Sequence, residues 1–224
     1  MVATPAPRPL AISVSPARLA LAPPASRTIT LSNLGAQRVV IGVARKSVSP
    51  RTRGWLSIRP ARLALRAGSS GRLTLRARTT PAAEPGDHRL LVLLVGRPVN
   101  RRRVAVRLRL GIRVRVRIAG RIVRQIDLGG LRVRRRAGAR EVLVSIANRG
   151  NVTEHLRGRL RLKLIRGHRV VSELRPRGIH ELAPRTRVTL ALPYAGHTRG
   201  LVRAVVTLGI VGMRPLVRMY RLRL

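Results

Sequence analysis

Glu84 and Asp87 stand three positions apart in the stretch AEPGDH, near enough to suggest a carboxylate pair for general acid–base chemistry. Pro85 and Gly86 lie between them, however, and predict a turn, where Asp and Glu cap backbone amides instead. His88, His155, His168, His180 and His197 are scattered, with no HExxH spacing and no cysteine to complete a metal site. AGSSG at 67–71 reads as a turn and not as the nucleophile elbow of a hydrolase. No catalytic, cofactor-binding or metal-binding residue is therefore expected, and the chain is read as a non-enzymatic protein.

Charge is the dominant chemical feature. Across 224 residues, 48 Lys and Arg face 7 Asp and Glu, a formal net charge of +41, and apart from Lys46 and Lys163 every one of these cations is arginine. Such a chain attracts polyanions. With 45% hydrophobic residues it also has enough apolar material for a core, which excludes a disordered tail. The opening MVATPAPRPL lacks the apolar centre of a secretory signal. No uncharged run of about 18 residues is present to cross a bilayer, so no membrane span is expected.

The arginines are placed by period. In VAVRLRLGIRVRVRI, Val104, Val106, Leu108, Leu110, Ile112, Val114, Val116 and Ile118 share one face of an extended chain, while Arg107, Arg109, Arg113, Arg115 and Arg117 share the other. A helix would repeat its apolar stripe at three and four residues, so the period of two predicts a strand, with Gly111 permitting a bend. Shorter alternations recur along the whole chain, as in RTITLS, RLTLRAR, EVLVSIAN and RVTLAL. Turn stretches such as APPAS, SNLGAQ, RAGSSG, NRGN and PYAGHTRG separate them at intervals of about ten residues, the rhythm of a sandwich. The fold class is all-β, two tandem immunoglobulin-like β-sandwiches, with almost no helix and a boundary at Gly120 that divides 9–119 from 120–224.

One stretch is said twice. SVSPARLALAPPASRTITLS at 13–32 returns as SIRPARLALRAGSSGRLTLR at 57–76, and ELAPRTRVTLAL near 181 is a weaker third version. A spacing of 44 residues is too short for a sandwich, so the echo is read as two similar edge-to-core strand pairs within the first domain. Leu19, Leu21, Ile29 and Leu31 in one copy, and Leu63, Leu65, Leu73 and Leu75 in the other, are expected to face one core. Each half also carries Asn-x-Gly after an early strand, SNLG at 32–35 and ANRG at 147–150, suited to left-handed corners. Trp55, the single tryptophan, is assigned to packing; Tyr194 and Tyr220 suit either packing or a surface. The sequon Asn151-Val152-Thr153 is assigned no function.

ISVSPARLALAPPASRTITLSNLG, then Trp55 opening WLSIRPARLALRAGSSGRLTLRART, then PAAEPGDHRLLVLLV, resemble the N-terminal domain of the bacterial WxL-interacting surface proteins. VSIANRGNVTEHLRGRLRLKLI and ELAPRTRVTLALPY are similar to the immunoglobulin-like domain that follows it there. The resemblance implies an envelope or extracellular protein whose first domain binds peptidoglycan and whose second binds a protein partner. That family also carries a secretion signal and a membrane anchor, which this chain does not display.

The expected partners are a cell-wall polymer, peptidoglycan or an anionic glycopolymer, and another surface protein engaged by strand addition at an exposed edge. The candidate polyanion contacts are Arg101, Arg102, Arg103, Arg107, Arg109, Arg113, Arg115, Arg117, Arg134, Arg135 and Arg136. One alternative is a periplasmic-type assembly chaperone, in which the strand from 103 to 118 offers its alternating apolar residues to a subunit. The other is a nonspecific polyanion or nucleic-acid binder. Nucleic acid is disfavoured by the scarcity of stacking aromatics and the lack of a helix for the major groove.

Overall fold

The computed structural model describes residues 10–47, 52–99, 107–136, 139–178 and 181–224. Its strands are, in order, β1 (Ile12–Ser15), β2 (Arg18–Leu21), β3 (Ala25–Asn33), β4 (Val39–Ser47), β5 (Leu56–Arg59), β6 (Arg62–Leu65), β7 (Ser70–Ala77), β8 (Gly86–Pro98) and β9 (Leu108–Ile118). They continue with β10 (Ile126–Arg136), β11 (Ala139–Asn148), β12 (Glu154–His155), β13 (Leu160–Arg166), β14 (Arg169–Leu174), β15 (Glu181–Leu182), β16 (Thr186–Tyr194), β17 (Leu201–Leu208) and β18 (Leu216–Arg223). No α-helix forms among the described residues. The chain divides into two compact units, Met1–Arg121 and Ile122–Leu224, and each is an immunoglobulin-like β-sandwich.

In the first unit one sheet runs β1-β3-β7-β5 and the other β2-β9-β8-β4-β6. All neighbours are antiparallel except β2 and β9. Period-two alternation delivers Ile29, Leu31, Leu73 and Leu75 from the first sheet, and Ile41, Leu94, Ile112 and Val116 from the second, into a single buried cluster. Each such side chain contributes about 1.5–3 kcal/mol by leaving water, which makes this layer the main stabiliser of the unit.

The echo accounts for the whole first sheet. Ile12 pairs with Asn33 and Ser15 with Thr30; 44 residues later, Leu56 pairs with Ala77 and Arg59 with Thr74. Between these, Ile29 pairs with Leu73, its own counterpart in the echo. A local twofold axis therefore passes between Ile29 and Leu73, and each copy supplies one edge strand and one central strand.

The sequence reading took each copy as one strand pair. In the structure its members lie in opposite sheets: the chain leaves the first sheet at Pro16 or Pro60 and becomes an outer strand of the second, as β2 or β6. It then returns to the first as β3 or β7. The bonds before Pro16 and Pro60 are both cis. Leu21 and Leu65 are buried, whereas Leu19 and Leu63 are half-buried, because an outer strand is covered on one side only.

The two Asn-x-Gly corners are held by side chains and not by left-handed backbone, which among the described residues falls elsewhere, at Arg185 and at glycines such as Gly54 and Gly68. Asn33 is fully buried; its Nδ2 donates to the carbonyls of Gln37 (2.8 Å) and Arg66 (2.9 Å), and its Oδ1 accepts from Gly35 N–H (3.1 Å). Asn148 repeats this in the second unit, donating to Val152 O (2.7 Å) and Leu182 O (3.0 Å) and accepting from Gly150 N–H (2.9 Å). Gly150 is required by space, since an added Cβ would stand 2.3 Å from Val123 O.

The second unit has sheets β10-β11-β16 and β14-β13-β17-β18, with a short pair β12-β15. Val144, Ile146 and Leu192 meet Leu162, Leu164, Val206 and Leu222 in its core, and Leu182 of β15 joins them. The weaker third echo is thus a two-residue strand leading into β16. β10 is irregular between Leu128 and Leu131, where Tyr220 Oη donates to Gly129 O (2.6 Å) and Arg218 donates to Leu128 O.

Leu75→Ala, which removes a fully buried side chain beside the twofold axis, is expected to cost about 2–5 kcal/mol. Urea unfolding followed by the fluorescence of buried Trp55 measures it; a cost below about 1 kcal/mol contradicts the packing described.

Candidate functional site: the open edge of β9

β9 changes neighbours halfway along its length. On one side it pairs with β8 throughout, from Leu108 opposite Gly96 to Ile118 opposite Gly86. On the other it pairs with β2 only from Arg113 to Val116, and Arg113 N–H donates to Ala17 O (3.0 Å). A straight continuation of β2 toward its N-terminus would lie along Leu108–Ile112. The chain turns away at Pro16 to become β1 of the other sheet, so among the described residues this half of β9 has no strand on that side.

Backbone parity fixes what the open edge offers. Since Arg113 N–H points toward β2, the N–H and C=O groups of Gly111 and Arg109 point the same way, into the unpaired side. Leu108, Leu110 and Ile112 turn inward, Ile112 fully buried and the two leucines half-buried. Arg109 and Arg113 turn outward and are exposed, with Gly111 between them. An extended segment laid here would find unpaired backbone groups, an apolar margin on one face and guanidinium groups on the other, the requirements for strand addition.

The candidate arginines fall into separate groups. Arg101, Arg102 and Arg103 lie outside the described residues, as do Val104 and Val106. Arg107 is exposed just before β9, and Arg109 and Arg113 occupy the outer face. Arg115 is half-buried opposite Arg89 of β8. Arg117 is committed to a partner within the protein: its Nε and Nη2 donate to the Oδ1 and Oδ2 of Asp87 at 2.6 and 2.8 Å. Arg134, Arg135 and Arg136 belong to β10 of the second unit, where Arg134 Nη2 donates to Glu141 Oε2 (2.6 Å) and Arg135 faces Arg140.

Asp87 corrects a reading made from the sequence. It lies within β8 and not in a turn, directly opposite Arg117, with its carboxylate wholly withdrawn from solvent. Other carboxylates, less withdrawn, also bind arginine. Arg124 binds Glu154, Arg149 binds Asp127, and Arg175 Nη2 donates to Glu173 at 2.8 Å. The hydrogen bond from Arg175 holds the Glu173 carboxyl below its ordinary range, and the charges of Arg175, Arg161 and Lys163 act in the same direction.

The aromatics are structural. Trp55 is buried and meets His88 edge-on, with ring centroids 4.8 Å apart. Tyr194 is buried beneath the Arg140 guanidinium, 5.1 Å from the ring centroid. Asn151 of the sequon accepts a hydrogen bond from Val123 N–H (2.7 Å) through its side-chain oxygen. Among the described residues no three of His, Asp and Glu converge to hold a metal ion.

No protein-family model matches the chain, and no curated protein does. Solved structures do. The YadV chaperone is 10% identical with a TM-score of 0.56, over 94% of this chain and 98% of that one. The Escherichia coli chaperone DraB is 14% identical with a TM-score of 0.52, over 96% and 98%. The Salmonella enterica SafA pilin in complex with the SafB chaperone is matched at 11% identity and a TM-score of 0.52, over 96% of both chains.

At these identities the likeness is one of fold, and it spans both units. It overturns the resemblance to WxL-interacting surface proteins, because the matching structures are chaperones, one of them in complex with a pilin. The peptidoglycan contact that rested on that resemblance loses its basis. Strand rhythm and Asn-x-Gly corners are shared by many bacterial sandwiches and do not separate these families. The crossing of a proline-bounded first strand between sheets is a topological feature, and local patterning does not encode it.

Asp87→Ala removes a bidentate partner from Arg117 and is expected to destabilise by about 1.5–3 kcal/mol. Arg117, with a side chain 42% exposed, can turn to water, which keeps the cost below that of a fully buried pair. Urea midpoints of variant and wild type measure the difference, and an unchanged midpoint contradicts it.

Proposed function

We propose that this chain is a non-catalytic assembly chaperone of the cell envelope, which holds a subunit of a surface structure by adding a strand at the open edge of β9. The observation that carries the reading is the departure of β1 at Pro16. It leaves the outward N–H and C=O groups of Arg109 and Gly111 without a neighbouring strand among the described residues, on a strand that alternates apolar residues with arginine.

The fold supports it, since the whole chain is similar to chaperones that include one held with a pilin. The physics supports it as well. A fibre subunit whose sandwich lacks a strand exposes a sheet edge and a strip of core, and unpaired strand edges aggregate. A lent strand edge satisfies the subunit's backbone groups, and inward-facing leucines cover its apolar strip. Neither step requires a catalytic group or a cofactor.

Co-expression with a surface-fibre subunit encoded in the same genome tests the proposal, the complex being read by size-exclusion chromatography with light scattering. A soluble complex of one chain with one subunit is expected. Gly111→Pro removes an outward N–H without removing a ladder bond to β8, as an edge position tolerates, and its Cβ would meet the movable Leu91 Cδ1 at 3.3 Å; an unchanged urea midpoint checks that the variant folds. Yield of the complex should fall by about tenfold or more in this variant. An undiminished complex, or a subunit that aggregates equally with and without the chain, overturns the proposal.

A further inference from the structure

The open edge also specifies the charge of what it receives. We infer that the segment captured along β9 is acidic, carrying carboxylates on its outward face and apolar residues on its inward face. The inference rests on the strand-addition reading above.

Its basis is a rule this chain already obeys. Where a carboxylate stands directly opposite an arginine in an antiparallel register, the two bind. Asp87 lies opposite Arg117 and takes two hydrogen bonds at 2.6 and 2.8 Å. Glu141 lies opposite Arg134 and takes two at 3.1 and 2.6 Å. Opposed residues in a ladder have Cβ atoms about 4.5–5.5 Å apart, a separation that the planar guanidinium fork spans.

At the open half of β9 the rule is left unfulfilled. Across β8, Arg109 faces Val95 and Arg113 faces Leu91, both apolar. Arg107, Arg109 and Arg113 have no carboxylate within ion-pair distance among the described residues. Arg18, exposed at the start of β2 and registered against Arg113, adds a fourth guanidinium where the end of an incoming strand would lie.

The remaining neighbour of these arginines is whatever occupies the vacant side. A strand with lysine or arginine there would oppose like charges, which repel across a ladder. A neutral strand would leave the guanidinium groups as they stand. Only an acidic one repeats the pairing of Asp87 with Arg117. Its inward positions, set against Leu108, Leu110 and Ile112, must be apolar because Ile112 belongs to the core and Leu110 packs against it.

The length of the open stretch, from Leu108 to Ile112, admits two outward positions against Arg109 and Gly111, with Arg113 at the border. Charge complementarity therefore sharpens specificity and speeds encounter, while backbone pairing and the apolar margin hold the segment.

The test uses the whole chain and three synthetic peptides that alternate valine with glutamate, with serine or with lysine. Binding is read by fluorescence anisotropy, and pairing by slowed hydrogen exchange at the Arg109 and Gly111 amides. The glutamate peptide should bind about tenfold tighter than the serine peptide at low salt. The advantage should shrink as salt rises. The double charge reversal Arg109→Glu, Arg113→Glu leaves the backbone edge intact and should transfer the preference to the lysine peptide.

Equal affinity for the glutamate and serine peptides, with exchange at both amides slowed, would overturn the charge inference and leave strand addition standing. Failure of every peptide to slow exchange would overturn both. A glutamate preference that persists in the reversed variant, or that comes without slowed exchange, reveals nonspecific adhesion of an acidic peptide to a basic protein and overturns the inference too.

Discussion

Uncompensated positive charge is the constraint to which the rest of the structure answers. With 48 basic side chains against 7 acidic ones, the chain cannot neutralise itself by internal pairing, and mutual repulsion opposes every compact state. A period of two resolves the conflict. A strand that alternates leucine or valine with arginine sends all its charge to one face of a sheet, and two such sheets turn their apolar faces together. Repulsion is then confined to surfaces bathed in water and screened over about 8 Å at physiological ionic strength. Burial of Leu31, Leu75, Leu162 and Val206 proceeds without bringing a guanidinium inside.

The few carboxylates gain structural weight from their scarcity. Asp87, Asp127, Glu141, Glu154 and Glu173 each bind an arginine, and Glu181 approaches His155 at 3.9 Å. The pairs with withdrawn carboxylates, Asp87 with Arg117 and Glu154 with Arg124, lie beside ends of strands, where charge would otherwise splay the ladder. With five of its seven carboxylates bound to arginines elsewhere, the chain sets none opposite Arg109 and Arg113 on the outer face of β9 among the described residues. The charge there can be met only from outside, which ties the electrostatics of folding to those of partner choice.

Much of this architecture is legible in the residues. The alternation through Ile112, Val114 and Val116 places them in the core, and the echo of PARLAL marks the two strands that cross between sheets. Local pattern does not reveal which sheet each strand joins. Leu19 and Leu21 read alike whether β2 pairs with β3 or with β9, and the partner is chosen by the turn at Pro16 and by long-range closure. Asp87 misleads for a related reason. Pro85 and Gly86 are turn residues, yet Gly86 already pairs with Ile118, because the β8 ladder extends until its partner ends. The Asn-x-Gly corners are visible as a repeated motif, but their mechanism, a buried amide bonded to several carbonyls, needs the third dimension. The arginine face is plain from the sequence; the open edge beside it is not, since an edge is a property of neighbours.

The open edge can be traced to a broken symmetry. The first sheet of the first unit follows the local twofold in its register, with β1 and β5 as equivalent outer strands and the axis between Ile29 and Leu73. The second sheet does not follow it. β6 adds to β4 antiparallel, whereas β2 adds to β9 parallel, and neither β4 nor β9 belongs to a copy of the echo, so the twofold does not relate them. β9 is also long, from Leu108 to Ile118, while β2 spans only Arg18–Leu21 before the chain must return as β3. A short strand laid against a long one leaves a remainder, and the turn at Pro16 decides that the remainder is the N-terminal half. Were β1 to continue straight, the sheet would be sealed and the first sheet would lose its outer strand. The duplicated crossing therefore completes one sheet at the expense of the other, and the vacancy it leaves lies where arginine and leucine alternate.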